Sequence, residues 1–292
     1  MLSQLKIKEI YQLTKPGITR MNLITVSIGY YLGSLGSFYP YASFAYLLIG
    51  TWLVASACGM HNSYFERDLD KKMNRTKKRP LPMGLVCSRT AFLLGGALLA
   101  LGVAIHAVFV NPLTAGLSFL TWFMYIAVYT PLKTRTWLNT FVGSIPGAIP
   151  IIGGWAAATG ALDAYAMMLF LVLFAWQHPH FYALAIMYKE DYESAGMKML
   201  PVLDPTGQKT IREIFVYTII MIVASILPVM FNLLGYIYLG GITLLGVMMF
   251  YFAVKLSQNW VIPQARKLFF ASIIYLPAWF VLIVVDFWVR SL

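Results

Sequence analysis

Residues 42–80 read ASFAYLLIGTWLVASACGMHNSYFERDLDKKMNRTKKRP, an apolar run that ends in a dense cluster of charge. The apolar part is long enough for a bilayer-spanning helix, which needs about 20 residues. The cluster then adds three carboxylates and seven cationic side chains. Asn62, Glu66 and Asp70 recur every fourth residue, so a helix would bring them to one face. The stretch predicts a membrane helix that ends in a site for a divalent metal and a multiply charged anion.

Similar apolar runs recur along nearly the whole chain. The 292 residues are 60% hydrophobic and only 11% charged, whereas soluble proteins carry about 25% charged residues. The composition predicts an all-α polytopic membrane protein, and the apolar runs indicate nine transmembrane helices in a single domain over residues 1–292. We expect these helices to surround a central cavity that opens to the cytoplasmic face. The predicted spans are 19–36, 42–65, 90–110, 113–131, 138–158, 164–188, 212–233, 236–256 and 268–289.

The distribution of Lys and Arg predicts the orientation. With these spans, 21 of the 22 cationic residues fall on one side of the membrane and only Arg290 falls on the other. By the positive-inside rule this is a multi-pass cell-membrane protein with a cytoplasmic N-terminus and an external C-terminus. The net charge of +11 then forms one basic face that suits anionic lipids and anionic substrates, and it requires no nucleic-acid partner.

Glu66 and Asp70 are candidate Mg²⁺ ligands, because this ion prefers oxygen donors and is commonly shared between carboxylates and substrate phosphates. Asn62 offers a neutral oxygen one turn deeper, and Asp68 would point about 160° away from Glu66 on a regular helix. The alternative is a simple juxtamembrane anchor. That alternative explains the lysines of the cluster but not Asn62 and Glu66, because polar groups within a span are costly.

Other cations could bind the anion. Arg75 and Arg79 have guanidinium groups suited to phosphate oxygens, and Lys133 and Arg135 follow the fourth predicted helix. Each of these residues, taken alone, is also explained as ordinary cytoplasmic charge.

A second polar cluster covers residues 178–193, four predicted helices after the first, and it lies on the same predicted face. It contains His178 and His180 on either side of Pro179, which should kink the helix. His180 is the better functional candidate of the two. Gly and Pro residues between Gly143 and Gly154 indicate either close helix packing or room for a bulky planar or isoprenoid ligand.

Taken together, these pieces resemble the intramembrane prenyltransferases of the UbiA type, and within that superfamily the members that farnesylate haem. The resemblance is strong from residue 15 to about 202 and specific only as a combination. Ser63 and Glu66 depart from the aspartates usual in the first motif of the superfamily, and His180 stands where quinone-directed relatives tend to be acidic. The matching segments are Lys15-Pro16-Gly-Ile-Thr, 62–81, 129–139, 147–155, Pro179-His180-Phe, Lys189-Glu-Asp191-Tyr192 and Met199-Leu-Pro201-Val.

The resemblance implies transfer of a farnesyl group from farnesyl diphosphate to a vinyl group of haem B, with addition of water, to give haem O and diphosphate. It implies Mg²⁺ on Glu66, Asp70 and Asp191, supported by Asn62. It implies that His180 is a haem ligand or lies beside the reacting vinyl group. Haem A synthase and terminal-oxidase assembly are implied partners. The implied diphosphate-binding residues are Arg75, Arg79, Lys133, Arg135 and Lys189, and the aromatic residues available to stabilise a cation are Trp122, Tyr125, Tyr129, Trp176 and Tyr182.

Two other functions remain open from sequence. One is a prenyltransferase that acts on a quinone-type aromatic acceptor. The other is a membrane transporter of an anionic substrate, which the short, uncharged outer loops disfavour because transport needs a polar route to the outer face.

Overall fold

The computed structural model describes residues 7–290, and these are helical with short connections. Residues 124–129 form a turn of π-helix, so that 112–132 is one continuous helical span. The helices are α1 (Ile7–Leu13), α2 (Pro16–Gly33), α3 (Tyr41–Asp70), α4 (Ser88–Phe109), α5 (Pro112–Phe123), α6 (Thr130–Leu132), α7 (Asn139–Thr159), α8 (Ala164–Met187), α9 (Lys189–Ser194), α10 (Leu200–Leu203), α11 (Gln208–Met230), α12 (Tyr236–Gln258) and α13 (Ile262–Arg290).

The predicted all-α membrane fold is confirmed, and the count of nine spans is close but not exact. Within residues 7–290, eight helical spans are long and apolar enough to cross a membrane. The predicted span that is not among these eight is the first, 19–36. It is present as the helix α2, but Arg20, Asn22 and its hydroxyl residues make it less apolar than the others. The helix α3 extends five residues beyond the predicted end at 65, so the Asn62–Asp70 cluster is helical throughout.

The loops rich in Lys and Arg gather at one end of the bundle, called the basic end below. There the Lys198 amide donates to the Lys133 carbonyl oxygen at 2.7 Å, and Asn139 donates to the Lys198 carbonyl oxygen at 2.9 Å. Arg290 lies at the opposite end, where its guanidinium donates to the Leu233 carbonyl oxygen at 3.0 Å. The structure therefore separates Arg290 from the basic loops, as the charge pattern predicts.

Glycines bring α7 close to α2. A side chain at Gly154 would clash with the Val26 carbonyl oxygen, and one at Gly29 would clash with the Ile151 carbonyl oxygen. These two contacts support the packing explanation for that part of the small-residue pattern. The helix α8 continues through Pro179, and the kink expected there stays a prediction.

Candidate active site

One face of α3 carries the central polar residues. Asn62 and Asp70 are fully buried and Glu66 is 4% exposed. Asp68, in contrast, has a side chain that is 67% exposed and pairs with Lys71 at 2.9 Å. The four-residue spacing therefore separates the inward residues from Asp68 because the helix is regular to its end.

Glu66 is paired with Lys133, which follows α6. The Lys133 ammonium lies 2.6 Å from Glu66 Oε1 and 4.6 Å from the centre of the Tyr129 ring. Burial alone would lower the pKa of Lys133, but the carboxylate raises it above its ordinary value. Lys133 therefore remains a cation beside a buried carboxylate.

Asp70 is paired with Arg79 from the loop after α3. Arg79 Nη1 lies 3.0 and 2.9 Å from the two carboxylate oxygens of Asp70. The Thr76 hydroxyl also donates to the Asp70 carbonyl oxygen at 3.0 Å. These contacts fold the basic loop back over the end of α3, and they leave the Arg79 side chain 32% exposed.

Lys15 joins this group, although it is not among the site residues predicted from the sequence. Its ammonium donates to Asn62 Oδ1, and the amide of Asn62 donates to the Thr130 hydroxyl at 3.2 Å. Burial lowers the pKa of Lys15 to about 7. Its backbone is left-handed, with φ 51°, a conformation that a non-glycine residue rarely adopts. The Lys15-Pro16-Gly segment, which is part of the family resemblance, is the sequence signal that could have identified Lys15. We call the following six residues the charged rim: Lys15, Asn62, Glu66, Asp70, Arg79 and Lys133.

Asp191 joins the second cluster to the first. Its two carboxylate oxygens accept hydrogen bonds from the amides of Asn74 at 2.9 Å and Arg75 at 3.1 Å. The Arg75 guanidinium lies 5.2 Å from the centre of the Tyr188 ring. Within residues 7–290, no three His, Cys, Asp or Glu side chains form a group that could hold a metal. The three predicted metal ligands are thus near the same end without forming one cluster.

The remaining predicted anion-binding residues are less tightly held. Lys189 is partly buried at the start of α9, and Arg135 is exposed after α6. Both belong to loops at the basic end.

A cavity of about 320 Å³ lies inside the bundle and is lined by Lys15 of the charged rim. Such a volume lies within the range of small-molecule sites. Of the five predicted aromatic residues, Tyr125, Tyr129 and Trp176 line it. Trp122 instead donates to His61 at 2.8 Å, and Tyr182 is buried in the core. The cavity is also lined by Asn22, Thr25, Cys58, Gly143, Pro146, Gly147, Gln177, His180 and Phe181.

The π-helical turn shapes this wall. It contains Tyr125 and Tyr129, and it precedes Pro131, which has no amide hydrogen for the helical ladder. The Thr130 hydroxyl donates to the Tyr125 carbonyl oxygen at 2.9 Å while its oxygen accepts from Asn62. The turn therefore connects the aromatic lining to the charged rim.

His180 lies on the opposite wall, contributed by α8 and α13. Its ring stacks between Trp176 and Phe269, with centroid distances of 4.7 and 4.8 Å. His180 Nδ1 lies 2.8 Å from the hydroxyl oxygen of Ser272. Phe269 and Ser272 were not predicted as site residues, since a Phe or a Ser in an apolar span gives no signal of its own. We call the following four residues the histidine wall: Trp176, His180, Phe269 and Ser272.

This combination of an intramembrane cavity, a rim of paired carboxylates and cations, and an aromatic interior defines a class of membrane protein that handles an anionic head group with an apolar body. The model of the UbiA prenyltransferase family matches residues 22–274. The chain belongs to the UbiA prenyltransferase family.

Among similar proteins, the protoheme IX farnesyltransferase of Solibacter usitatus is 40% identical, with 96% of this chain and 99% of that protein aligned. The protoheme IX farnesyltransferase of Nitrosospira multiformis is 38% identical, over 98% of this chain and 95% of its own.

Solved structures share the fold. Digeranylgeranylglyceryl phosphate synthase superimposes with a TM-score of 0.81 at 18% identity, covering 97% of this chain and 99% of its own. A UbiA homologue from Archaeoglobus fulgidus, bound to GPP and Mg²⁺, gives a TM-score of 0.65 at 16% identity, covering 94% and 99%.

Proposed function

We propose that this protein transfers the farnesyl group of farnesyl diphosphate to a vinyl group of haem B, with addition of water, to give haem O and diphosphate. The observation that carries the proposal is the cavity, which is lined by Lys15 of the charged rim and by Trp176 and His180 of the histidine wall. The rim has the chemistry to bind an anion, and the wall has the chemistry to bind a large aromatic metal complex. The similarity to protoheme IX farnesyltransferases over almost the whole chain supports this choice of acceptor.

The charged rim is proposed to bind the diphosphate together with Mg²⁺. Carboxylate and amide oxygens of Asn62, Glu66 and Asp70 share one helix face, and this donor set suits Mg²⁺. A UbiA homologue of the same fold binds GPP and Mg²⁺. Asp191 is the third proposed carboxylate, because each of its oxygens keeps a second acceptor direction beyond the amide it already contacts. When bound, Mg²⁺ would neutralise charge on the diphosphate.

The residues of the chain supply the rest of the anion site. Lys133 and Arg79 place two cations against the buried carboxylates, and Lys15 donates to Asn62 beside them. All three side chains are proposed to hold the departing diphosphate as its allylic C–O bond breaks. Arg75, Arg135 and Lys189 are proposed to contact the same group from their loops. The separating charge is then matched by side chains that already occupy fixed positions.

The aromatic cavity is proposed to protect the farnesyl cation. Tyr125, Tyr129 and Trp176 line a mostly apolar cavity, where aromatic rings can stabilise a cation. The terminal vinyl carbon of haem bonds to the farnesyl carbon that has lost diphosphate. Water then bonds to the inner vinyl carbon and releases a proton, so that a hydroxyethylfarnesyl group is formed.

We also propose that the basic end is cytoplasmic, in a cell membrane, with the N-terminus inside and the C-terminus outside. Farnesyl diphosphate would then enter from the cytoplasm and haem B from the bilayer. Haem O would pass to a haem A synthase or to terminal-oxidase assembly.

Mass spectrometry of haems from cells with and without the protein tests the proposal. We expect haem O only in cells that contain it. We also expect purified protein to form haem O from haem B and farnesyl diphosphate, and chelation with EDTA to stop the reaction until Mg²⁺ is restored. Formation of a prenylated quinone precursor without haem O would contradict the proposal and favour the quinone-type acceptor.

A further inference from the structure

The hydrogen bonds around His180 define which ring nitrogen carries the proton. The Ser272 hydroxyl lies 2.6 Å from the Phe269 carbonyl oxygen, which can only accept, so the hydroxyl hydrogen is donated there. The hydroxyl oxygen of Ser272 must then accept a hydrogen bond from His180 Nδ1, 2.8 Å away. A neutral imidazole protonated at Nδ1 has its lone pair at Nε2.

Nε2 of His180 is left available to the cavity. It forms no hydrogen bond with any residue between 7 and 290, and it is not fully buried. His180 itself lines the cavity. A lone pair on a cavity wall without a protein partner is a ligand position.

The ring has little freedom to turn. It is stacked between Trp176 and Phe269, and the Trp176 indole donates to the Ser272 carbonyl oxygen at 2.9 Å. Ser272 thus contacts α8 through both its hydroxyl and its carbonyl group. The orientation of Nε2 is fixed by packing between two helices before any ligand binds.

The other three histidines, all within the described chain, are used differently. His61 lies 3.0 Å from the Phe92 carbonyl oxygen through Nε2 and accepts from Trp122 through Nδ1. His106 is 3.1 Å from the Leu47 carbonyl oxygen and 2.7 Å from the Ser118 hydroxyl. One ring nitrogen of His178 contacts the Phe174 carbonyl oxygen and the other is buried without a partner in the described chain, and His178 does not line the cavity.

We propose that Nε2 of His180 coordinates the iron of haem B and that Ser272 is a positioning residue that fixes the tautomer for this bond. The proposal rests on haem B as the acceptor, and it adds the ligating atom and a residue on α13. Metal-bound histidines characteristically donate their second N–H to an oxygen, which fixes the ring and tunes the metal. The bond uses the existing lone pair of Nε2, so no proton is released and no redox partner is needed.

The functional consequence is alignment of the acceptor. Histidine is a common axial ligand of haem iron. Coordination would attach the porphyrin to the histidine wall at one point, so that its position relative to the charged rim is set before farnesyl diphosphate reacts. The effect on the reaction is one of orientation.

The test uses the purified full-length protein in detergent with haem B and no farnesyl diphosphate. Absorption spectra and the iron–histidine stretch of the ferrous form by resonance Raman report ligation directly. We expect His180→Ala to abolish the histidine-ligated spectrum and added imidazole to restore it. We expect Ser272→Ala to keep the ligand, shift the iron–histidine stretch and weaken haem binding about tenfold, and Ser272→Thr to restore both.

A matched control is Ser225→Ala, which removes a buried hydroxyl bonded to the Met221 carbonyl oxygen and to Tyr275, away from His180. It should leave the haem spectrum unchanged. Thermal unfolding of each variant checks that the fold persists. If the Ser272→Ala protein does not fold, imidazole rescue of His180→Ala is the deciding test. A histidine-ligated spectrum that survives in His180→Ala overturns the proposal.

The outcome also separates this inference from the proposed function. If the wild-type protein forms haem O but its haem spectrum is unaffected by His180→Ala, only the axial ligand is wrong. If the wild-type protein neither binds haem B nor forms haem O, both proposals are wrong.

Discussion

In the charged rim each buried carboxylate contacts a cation, whereas in the histidine wall the ring of His180 contacts only aromatic rings and a hydroxyl within the described chain. The rim takes its anions from one helix and its cations from separate segments. The wall takes its members from α8 and α13, more than 80 residues apart in sequence. We therefore expect substitutions that remove a charge to have the larger effect in the charged rim, and substitutions that change side-chain shape to have the larger effect in the histidine wall.

The largest expected effect is on the rim. Glu66→Gln and Asp70→Asn should each lower haem O formation about 100-fold or more, since a metal and its anion site contribute several kcal/mol to the transition state. The measurement is product formation from haem B and farnesyl diphosphate. Asp68→Asn, on the exposed face of the same helix, is the control and should be near normal. Near-normal product from both rim variants would rule out the metal assignment.

Lys133→Met should mainly reduce stability. It leaves Glu66 as an unpaired buried charge, which costs about 3–5 kcal/mol, and this loss should appear in denaturant unfolding in detergent. The double variant Glu66→Gln/Lys133→Met should recover most of it. Lys71→Met, which breaks an exposed pair with Asp68, should cause no measurable change. A double variant no more stable than Lys133→Met would mean that the pair is not the cause.

Asp191→Asn tests whether the second polar cluster contributes to the proposed Mg²⁺ site at the charged rim. We expect the Mg²⁺ concentration needed for half-maximal activity to rise about tenfold, as for loss of a supporting group at a metal site. Glu193→Gln, an exposed neighbour, is the control. An unchanged Mg²⁺ dependence would mean that Asp191 does not bind the metal and only accepts hydrogen bonds from the Asn74 and Arg75 amides.

The smallest effect is expected on the wall. Phe269→Leu removes one ring from the stack around His180, and aromatic pairs contribute about 0.5–1.5 kcal/mol beyond their buried area. Haem B affinity should fall about 3–10-fold, while the affinity for farnesyl diphosphate stays constant. Phe250→Leu on α12 is the control. Equal losses for both substrates would show that the rim and the wall are not independent.

Much of the rim could be predicted because its signals are local. The four-residue spacing of Asn62, Glu66 and Asp70 requires only that the segment be helical, and polar residues in an apolar run stand out. Lys15 was missed as a site residue, since nothing local shows that a left-handed backbone turns its ammonium towards Asn62. The pairing of Lys133 with Glu66 depends on contacts across 67 residues.

The sequence by itself determined a helical membrane bundle, the basic loops at one end and the polar face of α3, because hydropathy, charge distribution and helical period are properties of neighbouring residues. Only the tertiary structure decided which cation pairs with each carboxylate and which hydroxyl meets His180. Ser272 is an ordinary serine in an apolar helix until α13 packs against α8. That contact is set by the shapes of two distant surfaces, and no local pattern encodes it.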